Sequence, residues 1–309
     1  MKIRALFDKR TSTLTYVVWD PASRDAVIID PVLDYDPAAS VTWNESVEVA
    51  VKFMNEQKLR LHYVLETHAH ADHLSGSQAL KQACPDVKVA IGQRIVLVQQ
   101  MFKGIFGFAE DFPTDGRQFD VLLQEDKILQ AGSLTVGMKY TPGHTPACTT
   151  LSIGDALFTG DALFMPDSGS GRCDFPGGSA DDLYDSVTRK IYTEPESKRI
   201  FVGHDYQPGG RELRYETTVG EQKRHNIALN GATSREDFVA FRQKRDAQLA
   251  APKLLFQSVQ VNVDAGRLPP AEGEIRYLKI PLNVFRPKDV GSVPPLDTCE
   301  AVQPTGAQG

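Results

Sequence analysis

Short apolar runs separated by polar turns dominate the first third of the chain. Ile3 to Phe7, Thr13 to Trp19 and Ala26 to Ile29 read as three strands of a meander, with turns at Asp8-Lys9-Arg10 and Asp20-Pro21-Ala22-Ser23. From Asn44 to Gln57 the spacing of Val47, Ala50, Val51 and Met54 changes to a helical one, which predicts a helix packed on that first sheet. Strand and helix then alternate: a strand at 62–66, a helix from Ser75 to Cys84, a strand from Val87 to Ile91, and a helix from Gln93 to Met101. Asp120 to Leu123 and Ser133 to Tyr140 resume the sheet, and Thr149 to Ile153 with Ala156 to Phe158 form a hairpin across Gly154-Asp155. Ser179 with Asp181 and Asp182 supplies a cap and an acidic first turn to a helix reaching about Tyr192, and Arg199 to Val202 is a further strand. Helices follow at Val219 to Leu229 and from Ser234 to about Ala250, with Arg242-Gln-Lys-Arg245 as a solvated face. Phe102 to Phe119 mixes aromatics and glycines at irregular spacing and reads either as a loop beside a cleft or as core filling. The pattern is that of an α/β chain with one domain over residues 1–285, helical from about 212 onward. Residues 286–309, rich in Pro, Gly and polar side chains, read as a disordered tail.

One stretch is far denser in metal ligands than any other. Thr67-His68-Ala69-His70-Ala71-Asp72-His73 directly follows the apolar run Tyr63-Val64-Leu65. In extended backbone, residues two apart share a face, so His68 and His70 can address one point. A turn into the next helix can aim Asp72 and His73 at a neighbouring point, leaving room for one metal or two. The bland alternative is a polar turn whose histidines cap a helix. It weakens because three later strands run to a glycine and then to a ligand-capable residue: Pro142-Gly143-His144, Thr159-Gly160-Asp161 and Gly203-His204. Imidazole and carboxylate without a nearby thiol suit zinc, iron or manganese in an open site rather than a closed structural zinc.

His68, His70, Asp72 and His73 match, residue by residue, the HxHxDH motif of the metallo-β-lactamase superfamily, and residues 3 to about 230 resemble it. The resemblance implies a four-layer αββα sandwich with metal at one edge of its two sheets. It also implies that His144, Asp161 and His204 are the later ligand positions and that Asp30, at a strand end, is a supporting carboxylate. Thr159-Gly-Asp161-Ala-Leu, Gly171-Arg172-Cys173-Asp174-Phe175 and Gly203-His204-Asp205-Tyr206 look like the persulfide dioxygenase branch, whose GRxDF loop and HDY tripeptide border a glutathione pocket. That branch implies one Fe(II) per chain on His68, His144 and Asp161, a two-His, one-carboxylate face suited to oxygen chemistry. His70, Asp72, His73 and His204 would surround it or hold a second metal. Glutathione persulfide and O2 would be the substrates, with Arg172 pairing a glutathione carboxylate and Tyr206 touching the glutathione backbone. The alternative is a glyoxalase II-like hydrolase of S-acylglutathione thioesters, using two zincs or a zinc/iron pair.

Bulk properties narrow the partners. A net charge of -6 over 309 residues disfavours nucleic acid or an anionic membrane as a partner. Cys84, Cys148, Cys173 and Cys299 show no CxxC or disulfide spacing, so they read as free thiols of a reducing compartment. With no signal-like start and no run long enough for a membrane span, the cytoplasm is the expected location. A homodimer stays open.

Overall fold

The computed structural model describes residues 1–125 and 127–284. The expected tail at 286–309 lies outside the described residues.

Two six-stranded sheets form the centre. In the first, Lys2–Asp8, Thr13–Trp19, Asp25–Ile29, Arg60–Glu66, Lys88–Gly92 and Val121–Leu123 lie side by side in that order, antiparallel at the N-terminal end and parallel from Asp25–Ile29 onward. The second runs Leu129–Ala131, Leu134–Tyr140, Thr149–Ile153, Ala156–Phe158, Arg199–Phe201 and Glu216–Thr218. Successive residues of Thr13–Trp19 show how the layers divide. Tyr16 and Val18 join the apolar cluster that crosses to Met138, Leu151, Phe158 and Phe201 of the second sheet, whereas Val17 and Trp19 join the cluster on the other face. Tyr16 packs edge-on against Phe158 and Phe201 at 5.3 and 5.5 Å between ring centres.

Helices close both outer faces. Helix α1 (Glu45–Gln57), α2 (Ser77–Ala83) and α3 (Ile95–Phe106) bring Val47, Met54, Leu80, Val98 and Phe102 to the first sheet. On the far side α4 (Ala180–Ser186), α5 (Val219–His225) and α6 (Arg235–Asp246) follow caps at Ser179, Thr218 and Ser234, each accepting a backbone N–H three residues on. Leu183, Val187, Val219 and Phe238 carry the core outward there. The result is the expected αββα sandwich.

Several local readings change. Helix α5 stops at His225 because the Asn226 side chain turns back to accept the backbone N–H groups of Ala228 and Leu229. A small sheet of Val41–Trp43, Val32–Asp36 and Leu74–Ser75, and helix α7 (Leu255–Asn262), have no counterpart in the sequence reading. Phe102 and Phe106 are buried core at the end of α3, and Phe102 meets Phe175, which in turn lies 5.9 Å from the His144 ring. The expected solvated face at Arg242-Gln-Lys-Arg245 is corrected at Arg242, which is only 2% exposed and ion-paired to Asp246 on the inner face of α6.

Candidate metal centre

Strand direction explains why distant residues meet. Ala156–Phe158 and Arg199–Phe201 are parallel neighbours, so Asp161 and His204 leave the same sheet edge. Leu134–Tyr140, two antiparallel steps away, points the same way and delivers His144 to that edge. The parallel strand Arg60–Glu66 of the other sheet ends in Thr67 and the histidine-rich turn. Gly160 takes φ +48°, and a Cβ there would stand 2.6 Å from the Thr67 hydroxyl, so the two sheets can approach only at a glycine.

One ligand atom each from His68, His144 and Asp161 lies within 4.8 Å of the others, and the same holds for His70, Asp72 and His73. His204 joins the two groups, its Nε2 lying 3.4 Å from both Asp72 and Asp161. All seven candidate ligands therefore converge, and all but Asp72 are buried.

The surroundings decide which nitrogen of each ring is offered. Thr67 donates its hydroxyl to Asp30 at 2.8 Å, so it can only accept from His68 Nδ1, 3.0 Å away. His144 Nδ1 donates to the Arg172 carbonyl at 2.7 Å, and His204 Nδ1 to the Ser12 carbonyl at 3.2 Å. His73 Nδ1 is 3.1 Å from Asp72. For His68, His144 and His73 this leaves Nε2 with its lone pair, the second-layer arrangement typical of metal-binding imidazoles; burial would lower the His204 pKa, but Asp72 and Asp161 facing its Nε2 raise it. His70 is reversed: its Nε2 sits 3.0 Å from Asp30 and 3.6 Å from Glu66.

Buried Nε2 of His68 and His73, Nδ1 of His70, and Oδ1 of Asp161 have no hydrogen-bond partner among the described residues. Each such orphan costs about 1–3 kcal/mol, a cluster that a bound cation would satisfy. Burial, with His70 beside it, holds the His68 pKa well below the usual imidazole value; burial, with His73 beside it, does the same to His70. Both rings are therefore neutral at physiological pH, the form that can take a metal. Burial would raise the Asp72 carboxyl, but His204 and His73 hold it well below its ordinary range, so it is an anion. The thiols of Cys148 and Cys173 stay protonated: burial pushes both up to about 12.

Of the expected substrate residues, Tyr206 stacks on His204 at 5.6 Å between ring centres and is 55% exposed at the rim. Arg172 makes a fork to Asp174 at 2.6 and 2.8 Å and donates a third bond to the Ala250 carbonyl. Glu66, Thr67 and Thr13, which line the back of the ligand cluster, escaped the sequence reading. Thr67 was the accessible one, since a hydroxyl one residue before a candidate ligand is a natural partner for its ring.

The family model of the metallo-beta-lactamase superfamily matches residues 8–204, a span running from the first turn to His204. The chain belongs to the metallo-β-lactamase superfamily. Among its members, Glyoxylase B2 of Dictyostelium discoideum is 42% identical, over 92% of this chain and 98% of that one. A mitochondrial persulfide dioxygenase, ETHE1 of Homo sapiens, is 32% identical over 85% of this chain and 88% of its own length. The crystal structure of ETHE1 from Myxococcus xanthus superimposes with a TM-score of 0.69 at 34% identity, covering 86% of this chain and all of that one. This superfamily member is thus a metal-dependent enzyme of hydrolase or dioxygenase type. No helix among the described residues is long and apolar enough to cross a membrane.

Proposed function

We propose that the protein is a glutathione persulfide dioxygenase with one Fe(II) held by His68, His144 and Asp161. The observation that carries this is the compact two-His, one-carboxylate group, whose imidazoles are fixed through Nδ1 and open at Nε2. Similarity to proteins named persulfide dioxygenase supports the choice of reaction. Ferrous iron, when bound, supplies the oxygen chemistry that side chains lack. Glutathione persulfide, O2 and water then yield glutathione and sulfite with its two protons.

The protein's own residues do the holding. Asp30 and Thr67 fix the His68 ring, and the Arg172 carbonyl fixes His144. Tyr206 forms a wall over His204 at the rim, where the glutathione backbone would lie. Arg172 presents its guanidinium to a substrate carboxylate in competition with Asp174. The cytoplasm is the proposed location, where Cys84, Cys148 and Cys173, all unpaired, stay reduced.

A second reading is a binuclear thioester hydrolase of the glyoxalase II kind. It is favoured by the second group, His70, Asp72 and His73, with His204 between the two groups. The test is metal content together with an oxygen electrode. Fe(II)-loaded protein should consume O2 and release sulfite from glutathione persulfide, with one iron per chain. Two zincs per chain and rapid hydrolysis of S-lactoylglutathione would instead establish the hydrolase.

A further inference from the structure

We propose that the buried pair Arg242–Asp246 is a positioning clasp that sets the aim of His144 through the Arg172–Cys173 peptide. Helix α6 places the two residues one turn apart on its inner face, 2% and 6% exposed. A buried ion pair is rarely the most stable choice for such a site, since apolar packing would serve as well. Here both members also hold loop backbone. Asp246 Oδ2 accepts the Cys173 N–H at 2.8 Å, and Arg242 Nη1 donates to the Ser170 carbonyl at 3.1 Å.

The planarity of the peptide turns these contacts into a relay. The Cys173 N–H and the Arg172 C=O belong to one rigid unit and point in opposite directions. Holding the first at Asp246 therefore fixes the second, which accepts from His144 Nδ1 at 2.7 Å. A carboxylate on the N–H also polarises the carbonyl and strengthens its hold on the ring. Two peptides earlier the pattern repeats. Arg242 holds the Ser170 carbonyl, and the N–H of that same peptide, on Gly171, donates to the Asp161 main-chain carbonyl at 3.0 Å. The two loop contacts of the clasp thus reach two candidate ligands, but only His144 is reached at a side-chain atom.

This inference rests on His144 being a metal ligand and not on which reaction follows. The test is metal affinity without turnover, so a failed oxygen-uptake assay leaves it standing. Arg242→Met with Asp246→Leu removes the clasp without stranding a charge. Competition with a chelator for Zn(II) should show affinity about 10–100-fold lower, with unchanged circular dichroism. In a His144→Ala background the same double change should cost less than about threefold. Wild-type affinity in the double variant, or equal losses in both backgrounds, would overturn the proposal. Should the double variant not fold, Asp246→Asn in 15N-histidine-labelled apoprotein reads the ring directly. The wild type should show His144 as the Nδ1–H tautomer and the variant a mixture; an unmoved tautomer would overturn it.

Discussion

The Asn262 carboxamide donates to the main-chain carbonyl of His73 at 2.8 Å, joining the last described helix to the ligand turn. The same nitrogen reaches the His70 carbonyl at 2.8 Å, and its oxygen accepts the Ser75 N–H at 2.8 Å. One side chain thus satisfies three backbone groups of a turn too short to satisfy them itself. Asn262→Leu would strand all three in a buried site, at a cost of about 3 kcal/mol or more. Chemical unfolding of the metal-free protein should show that loss, and chelator competition a fall in metal affinity of about tenfold. A variant as stable as the wild type would remove Asn262 from the account.

Asn262 also marks where sequence reading stops. His68, His70, Asp72 and His73 are legible because adjacent residues carry the chemistry and the extended backbone alone brings His68 and His70 to one side. His144, Asp161 and His204 are legible because each follows a strand and a glycine. Asn262 acts on His70 from 192 residues away, through backbone atoms every residue possesses, so no local pattern announces it. The reading of Arg242 as solvated fails for a related reason: an arginine on a polar helix looks the same in sequence whether it faces water or a loop. The small sheet at 32–36, 41–43 and 74–75 has strands too short for a period to show.

Gly171 sits where the loop meets the backbone of Asp161. A Cβ there would stand 2.2 Å from the Asp161 carbonyl oxygen, a backbone atom already accepting the Gly171 N–H. Relief requires the loop and Asp161 to separate. Gly171→Ala should destabilise by about 1–3 kcal/mol and lower metal affinity by more than tenfold. Equal metal content in variant and wild type after dialysis against chelator would contradict this.

Asp161 and Arg172 should separate kinetically. Asp161 completes the group with His68 and His144, its Oδ2 lying 3.5 Å from His144 and its Oδ1 3.4 Å from His204, so Asp161→Ala should lose metal and activity together, measured by elemental analysis and turnover. Arg172→Ala removes a guanidinium from the loop while leaving the Arg172 carbonyl that holds His144. A charge-assisted contact of about 1.5–3 kcal/mol corresponds to a rise in KM of roughly ten- to a hundredfold, with kcat little changed. An unchanged KM would mean that the guanidinium serves only its fork with Asp174.

Asp25, far from the metal edge, should govern acid stability. Its carboxylate is 3% exposed and accepts from Arg60 at 2.9 Å, His62 at 2.7 Å and the Ser133 N–H at 2.8 Å. Burial alone would raise its pKa, but the His62 and Arg60 bonds outweigh it and hold the carboxyl well below its ordinary value. With the folded pKa depressed, the unfolded chain takes up the proton first as pH falls. The stabilisation is therefore complete above an unfolded pKa of about 3.9 and drains away below it, by at most about 1.4 kcal/mol per pH unit. Arg60 is largely solvated, so much of the effect falls to His62 and the Ser133 amide. Asp25→Asn should cost about 1–3 kcal/mol at neutral pH. It should also flatten the stability curve between about pH 2 and pH 4, in denaturant titrations taken as a difference from wild type. Parallel acid limbs for the two proteins would show that Asp25 keeps no depressed pKa in the folded state.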